Sequence, residues 1–508
     1  MSRDLVIGID CSTTAAKAVV WDARGRSLAE GREPIPRTSP NPGWGEQDPA
    51  DWWSATAKAI VAALRGADAS RIAALCIVHQ RESFACFDTA GEAIRPGILW
   101  LDTRATAEIR AHGSEAIHER TGKPPNTSVS WYKMLWLQAH EPDVIARTSH
   151  VADVHGYLVY RLTGRWQTSY GSVDPMGVLD MRSFALDAAL LDQAGLQPGQ
   201  LPELHPPGAT LGGLRDDVAA ALGLPAGLPV VAGLGDGQAA GLGAGVIAPG
   251  DAFLNIGTGM ISGTCSTDYQ WGREFRTMTG AVPGTYMPET FIGGGTYNVT
   301  WFADKFLDAP PRPFGLDLSP ERLLETAAAG VPPGSDGMLA LPYLSGALSP
   351  YWDSDARGVF LGFSERHGRA HMYRAMLEGM ALEQRVATTA AEATLGTRIE
   401  RFRIMGGGSR SALWCQIIAD VLGRPVDVSR ETETTCLGAG MLAAVGGGLH
   451  DTIEEAARAM SGIRQTYEPV EATRTIYDGC YEAYRQLYPR LRDVFAMPRG
   501  AKPDGAEP

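Results

Sequence analysis

Residues 228–263 read LPVVAGLGDGQAAGLGAGVIAPGDAFLNIGTGMISG. An apolar run closes on one carboxylate, Asp236, set in Gly-Leu-Gly-Asp-Gly. A small-residue segment of helical character follows. A second apolar run, Ala252 to Ile256, breaks at Gly257-Thr258-Gly259 and resumes at Met260. The stretch reads as the close of one domain and the opening of another. An acidic group and a Gly/Thr turn then face each other across a cleft near residues 245–252.

Working outward, Leu5 to Asp10 is a short run rich in β-branched residues, Cys11 to Thr14 is a polar turn, and Ala18 to Asp22 is a second run. This predicts a hairpin whose bend, lined with hydroxyls and backbone N–H groups, can cradle phosphate. The strand, turn and strand at 252–264 echo it. Asp48 caps and Pro49 opens a helix running to about Leu64. Ile72 to Val78 is a buried strand that delivers His79-Gln-Arg-Glu-Ser83 to its carboxyl end, where open α/β sheets place ligand groups. Phe84 to Asp88 with Gly91 reads as a turn. Trp131 to His140 reads as a helix with an aromatic core stripe, and Val151 to Leu162 as an apolar stretch. Residues 165–172 form a polar segment that could edge a site, and 196–228 form Pro- and Gly-rich connecting structure. Downstream, Gly293–Gly295 leads into a helix, residues 370–395 make a long helix, and Arg401 to Met405 is a strand. Gly406–Gly408 opens a helix from Ser411, and residues 436–445 make a small-residue helix. Strands alternating with helices imply an α/β architecture, and the matched hairpins make two related domains the economical topology.

The 508 residues give room for two to four domains and a large core. A net charge of −13 disfavours nucleic acid and anionic membranes as partners, while leaving a local phosphate site open. Seven dispersed cysteines without a CxxC fit reduced thiols in a cytoplasmic chain. The N-terminus has the character of neither a signal peptide nor an anchor. Residues 499–508 are expected to be a disordered tail. No GxxxxGK[ST], Rossmann GxGxxG, HExxH or GxSxG occurs, which argues against P-loop, dinucleotide, zinc-hydrolase and nucleophile-elbow chemistry.

Four small-residue turns in two matched halves, at Ser12–Thr14, Gly257–Gly259, Gly293–Gly295 and Gly406–Gly408, suit a nucleoside triphosphate. Asp236, between glycines after a strand, is placed to accept a proton or hold a cation, and Asp10 could hold Mg²⁺. Arg81-Glu82 and Asp102/Arg104 offer the charged donors and acceptors that polyol hydroxyls need.

With these residues assembled, the chain resembles the FGGY carbohydrate kinase family over about residues 5–490. The matching segments, in order, are GIDCSTTAAKAVVWD, GWGEQDPADWW, ILWLDTR, LTGRWQTSYGS, GLGDGQAAGLGAG, LNIGTG, RAMLEGMALE and MGGGSRSALWCQIIADVLGRPV. The resemblance implies two ribonuclease H-like domains of the actin/hexokinase type facing a cleft, over 1–247 and 248–498. It implies ATP and Mg²⁺ as cofactors and phosphorylation of a sugar or polyol hydroxyl. Asp236 takes the catalytic base position, and Asp10 and Asp236 the metal positions. Ser12, Thr13, Thr14, Lys17, Gly257, Thr258, Gly259, Gly294 and Gly295 fall on the phosphate side, and Gly407, Gly408 and Ser411 on the adenosine side. Arg81, Glu82, Trp100, Asp102, Asp236 and Gly237 fall on the acceptor side. Within the family the chain most resembles the xylulokinases, so a ketopentose such as xylulose is the expected acceptor. Xylulokinases typically carry Met-His where this chain has Arg81-Glu82, a pair closer to glycerol kinases, which makes glycerol or a tetritol the alternative. Gly346-Ala-Leu-Ser-Pro350 and Thr168-Ser169 also depart from the family pattern. A non-catalytic sugar- and nucleotide-binding regulator is the alternative of another class. A homodimer is compatible with this reading.

Overall fold

The computed structural model describes residues 3–307 and 319–497; the tail at 499–508 lies outside them. Two mixed sheets dominate. The first contains β1 (Leu5–Cys11), β2 (Ala15–Asp22), β3 (Ser27–Pro34), β4 (Ile72–His79), β5 (Thr210–Gly213) and β6 (Pro229–Val231), in the order β5-β6-β4-β1-β2-β3. The second contains β7 (Asp251–Ile256), β8 (Met260–Thr264), β9 (Arg276–Thr279), β10 (Tyr286–Ile292), β11 (Arg401–Met405), β12 (Val426–Ser429) and β13 (Ile463–Tyr467), in the order β9-β10-β8-β7-β11-β12-β13.

The six strands of the first sheet are repeated in order in the second, which adds β9 at one edge. In each, an antiparallel hairpin opens the unit (β1/β2, β7/β8), and a parallel strand joins its first member (β4, β11). A further parallel strand follows (β6, β12), and an antiparallel edge strand closes the row (β5, β13). The echo between residues 5–21 and 252–264 therefore marks a duplicated topology. Parallel strands covered on both faces need near-continuous apolar sequence; every residue of β4, IAALCIVH, is accordingly buried.

The helices follow their local signals. Asp48 caps α1 (Pro49–Leu64) by accepting from Ala50 N, with Pro49 at the first position. The helix predicted from Trp131 is α2 (Ser130–His140). Asp236 opens α3 (Asp236–Gly243), Gly293–Gly295 precede α4 (Thr296–Phe306), and the long helix is α5 (Arg369–Leu395). Ser411 caps α6 (Ala412–Leu422), and the small-residue helix is α7 (Thr434–Gly446). Among the described residues no helix is long and apolar enough to cross a membrane.

Three local expectations change. Phe84–Phe87 is a strand, not a turn; it pairs with His150–Asp153 and is buried on both faces, so no polar alternation marks it. The apolar stretch at 151–162 splits at Asp153, whose carboxylate accepts from Gly156 N and starts a helix over Val154–Thr163. The connecting region before residue 228 supplies the edge strand β5 as well as linker.

Helix α7 sits on the first sheet although it comes from the second half of the chain. It packs with Val6, Val19, Trp21, Cys76 and Val78 in one buried cluster. Trp21 Nε1 donates to Cys436 O at 3.1 Å. Close approach explains the glycines: a Cβ on Gly438 would lie 2.0 Å from Ala239 O, and one on Gly243 would lie 1.9 Å from Thr434 O. α3 and α7 therefore touch backbone to backbone, with no side chain between them. Gly438→Ala forces these helices apart. Overpacking of this kind costs about 1–3 kcal/mol, so a lowered midpoint in thermal or urea unfolding is expected, and an unchanged midpoint would contradict the contact.

Candidate active site

Arg81, Glu82, Trp100, Asp236, Arg276 and Phe291, with Asn126–Ser128, Ile261, Leu348 and Trp352, line a cavity of about 290 Å³ between the sheets. Sites for small molecules begin at roughly 300 Å³, so the space suits a few-carbon compound. A larger hollow beside His150, Trp166 and Phe184, of about 680 Å³, is more open and gathers few charged groups.

Asp236 is the first residue of α3, delivered by β6 and the bend at Gly233–Gly235. Its Oδ1 accepts from Gly237 N at 2.7 Å and lies 3.1 Å from Arg81 Nε, and its side chain is 39% exposed. Gly237 thus serves the site through its backbone. Arg81 and Glu82 follow the end of β4, and both line the cavity. Glu82 has φ 54°, the left-handed region that a residue with a Cβ enters at a cost of order 1–3 kcal/mol. Arg81 Nη1 donates to both oxygens of Glu289, at 2.9 and 2.8 Å. Arg276 Nε donates to Glu289 at 3.1 Å and its Nη1 to Glu82 at 2.8 Å. A chain of alternating charge, Asp236–Arg81–Glu289–Arg276–Glu82, therefore runs from the first sheet's loops to β10 and β9 of the second and back. A second link between the halves joins Asp174 to Lys123 and to Thr279 N, the latter at 2.7 Å.

Trp100 is part of the cavity wall and donates from Nε1 to Thr13 Oγ1 at 2.9 Å, coupling that wall to the β1–β2 turn. Its loop is fixed from behind by Lys133 on α2. Lys133 is buried and donates to Leu99 O, Trp100 O and Ser128 O at 2.8, 3.1 and 2.8 Å. Burial pulls this amine down to about 7, against the nearby charges of Glu82 and Asp102.

The β1–β2 turn places Thr14 exposed at its tip, while Ser12 Oγ closes the turn on Ala15 O at 2.8 Å. In the register of the hairpin Asp10 lies opposite Lys17. Asp10 Oδ1 is buried without a hydrogen-bond partner. Burial, then the charges of Asp236 and Glu433, push its carboxyl well above the usual carboxylate range, against the pull of Lys17. On the second sheet, the Gly257–Gly259 turn leaves Thr258 exposed and is backed by Thr296, whose N and Oγ1 donate to Gly257 O at 2.8 and 2.9 Å. Gly295 packs on that turn so closely that a Cβ would lie 2.6 Å from Gly257 O. Gly406, at φ 82°, presses on Asn255 and Ile256, and a Cβ on Gly407 would meet Thr296 Cγ2 at an ordinary 3.7 Å. The turns after β7, β10 and β11 therefore converge on one patch of backbone.

Three sequence assignments need correction. Asp102 does not reach the cavity: its buried carboxylate accepts from Gly45 N, Arg104 N, Arg104 Nε and Arg104 Nη2 at 2.7–2.9 Å, so it shapes the loop carrying Trp100. Lys17 is not a free phosphate ligand here: its ammonium is paired with Glu30 and Glu433, each at 3.0 Å. Ser411 accepts from Trp414 N at 3.1 Å and donates to Glu325 at 2.6 Å, which commits its hydroxyl to capping α6. The polar segment at 165–172 is absent from the cavity lining; Thr168 and Ser169 are buried, with Thr168 bonded to His155. Arg276, Glu289, Phe291, Asn126–Ser128, Ile261 and Trp352 escaped the sequence reading, whereas Leu348 falls in the 346–350 segment singled out there. The first two carried a signal, since a charge inside an apolar strand is rarely buried unless paired. Among the described residues no group of three or more His, Cys, Asp or Glu is placed to hold a metal.

Comparison with known proteins fits this geometry. The FGGY family of carbohydrate kinases, N-terminal domain, matches residues 5–243, and its C-terminal domain matches residues 252–447. The chain belongs to the FGGY family of carbohydrate kinases. Its fold is the two-domain actin/hexokinase-like type, and it is a phosphotransferase, as the FGGY kinases are; these use ATP on sugars. A xylulose kinase of Staphylococcus epidermidis is 27% identical over 503 residues, covering 98% of this chain and 99% of that protein. A glycerol kinase of Citrifermentans bemidjiense is 31% identical over 487 residues, covering 92% of this chain and 94% of that protein. The crystal structure of xylulose kinase from Rhodospirillum rubrum superposes with a TM-score of 0.89 at 31% identity, covering 97% of this kinase and 100% of that chain.

The state of Asp10 has a measurable consequence. A carboxyl raised in the folded state loses stability as pH climbs from its unfolded value, about 3.9, through its folded one. Asp10→Asn removes that loss. The ligand-free variant is expected to be more stable than the parent by roughly 1–3 kcal/mol at pH 8 and to lose the advantage toward pH 5. Thermal unfolding at the two pH values checks this; a gain that does not change with pH would contradict it.

Proposed function

We propose that this kinase transfers the γ-phosphoryl group of ATP to a hydroxyl of a neutral, few-carbon polyhydroxy acceptor, with a ketopentose such as xylulose first. The observation that carries the reading is the position of Asp236, open to a small cavity that also carries Arg81, Glu82 and Arg276, ion-paired with Arg81 and electrostatically coupled to Asp10 on the phosphate hairpin. The relatives named xylulose kinase support the ketopentose. Arg81-Glu82 on the cavity wall favours glycerol or a tetritol as the second reading.

Asp236 orients the attacking hydroxyl and takes its proton. Arg81 and Glu82 hold neighbouring acceptor hydroxyls, and Trp100 and Phe291 cover the carbon skeleton. The turns at Ser12–Thr14 and Gly257–Gly259 present backbone N–H groups and the Thr14 and Thr258 hydroxyls to the phosphates. Gly294, Gly295, Gly407 and Gly408 leave the backbone bare toward the nucleotide. The partnerless, raised carboxylate of Asp10 near Asp236 fits a hard cation. Mg²⁺ takes one or two protein carboxylates plus phosphate oxygens, and when bound it neutralises charge on the phosphates. Asp10 and Asp236 are the residues that would hold it. We place the boundary between the lobes at 247/248.

A panel of pentuloses, glycerol, tetritols and hexoses, followed by coupled ADP release, tests the reading; acceptor-dependent ADP release with a pentulose or polyol is expected, and none with any member would overturn it. Asp236→Asn should lower kcat on the best acceptor by at least about 10²-fold. Near-parental turnover would remove its role as base.

A further inference from the structure

The charges around the acceptor cavity are not left over from folding; they are matched across the lobes by one residue. Glu289 is 1% exposed and lies on β10, in the second half of the chain. It holds Arg81 and Arg276 together. Their remaining ion pairs are with the two acidic groups of the first lobe that face the cavity, Asp236 and Glu82. Two guanidinium groups therefore meet three carboxylates, leaving one negative charge in excess. Among the described residues that line the cavity, both cations, Arg81 and Arg276, are already paired with carboxylates.

We propose that Glu289 is a positioning and specificity-determining residue: it neutralises Arg81 from the opposite lobe and Arg276 from the neighbouring strand β9, so that Arg81 and Glu82 are set for hydroxyls and acceptors carrying an acid group are rejected. This rests on the proposed acceptor site. Glu289 acts through Arg81 and Arg276 and is absent from the cavity lining. Arg81 would otherwise fold wholly onto Asp236, and Arg276 onto Glu82, because a buried guanidinium takes whatever carboxylate is nearest. With the central carboxylate gone, the surplus negative charge also goes.

The test uses the full-length enzyme and xylonate, a carboxylate anion with the carbon count of a pentulose, as inhibitor against the best neutral acceptor. Glu289→Gln should raise the acceptor KM about tenfold while leaving the KM for ATP within twofold, and should lower the inhibition constant of xylonate about tenfold. Glu289→Asp should restore part of both. Arg276→Gln removes a positive charge instead, so it should raise the xylonate inhibition constant. General loosening of the site would move both variants the same way and would overturn the proposal, as would a parental enzyme that phosphorylates xylonate as well as its neutral acceptor. If Glu289→Gln does not fold, Arg276→Gln decides alone, and an unchanged inhibition constant there overturns it. A parental enzyme that phosphorylates no acceptor fails in an earlier arm and brings down the kinase acceptor reading itself.

Discussion

A carboxylate without exposed surface, held between two guanidinium groups, is the constraint on which the cavity between the lobes depends. Burying three charged groups together contributes little net stability, because desolvation offsets much of the attraction. What it contributes is geometry. Glu289 reaches from the second sheet to Arg81, and through Arg81 to Asp236; Arg276 returns to Glu82. The left-handed backbone of Glu82 persists because its side chain is fixed at the far end by Arg276. The cavity is thus a property of the two lobes in contact, and neither lobe contains it alone.

The proposed phosphate side is built on another principle. Its surfaces are turns at the ends of matched hairpins and parallel strands, where glycine lets backbone approach backbone. Gly295 against Gly257 and Gly406 against Ile256 leave no room for a side chain. Such a surface depends on chain path more than on side-chain identity. The acceptor wall, in contrast, draws side chains from segments near residues 81, 100, 127, 236, 261, 276, 291 and 348. One half of the site can therefore stay fixed while the other is changed residue by residue, and the departures from the family pattern at Arg81-Glu82 and around Leu348 fall on the changeable half.

That difference also sets what was legible in the sequence. Hairpin punctuation at 11–14 and 257–259, the Asp48-Pro49 helix start and the buried strand at 72–79 are local signals, and they placed both sheets and Asp236. Phe84–Phe87 was missed because a strand buried on both faces shows no alternation. Asp102, Lys17 and Ser411 have the right chemistry for ligands but are taken up by Arg104, by Glu30 and Glu433, and by Trp414 with Glu325. Competition of this kind depends on partners distant in sequence, as with Lys17 and Glu433. Arg276 and Glu289 are the converse case, where burial of an unexpected charge was the only sign.

The seat of α7 on the first sheet bears on how the chain comes into being. The hydrogen bond from Trp21 to Cys436 spans 415 positions. Synthesis proceeds from the N-terminus, at about 5–20 residues per second. The inner face formed by Val6, Val19 and Trp21 therefore waits, uncovered, for tens of seconds until the last seventh of the protein emerges. In that interval the nascent first lobe carries an apolar surface that its distant helix later covers, and transiently exposed surface of this kind favours aggregation of incomplete chains.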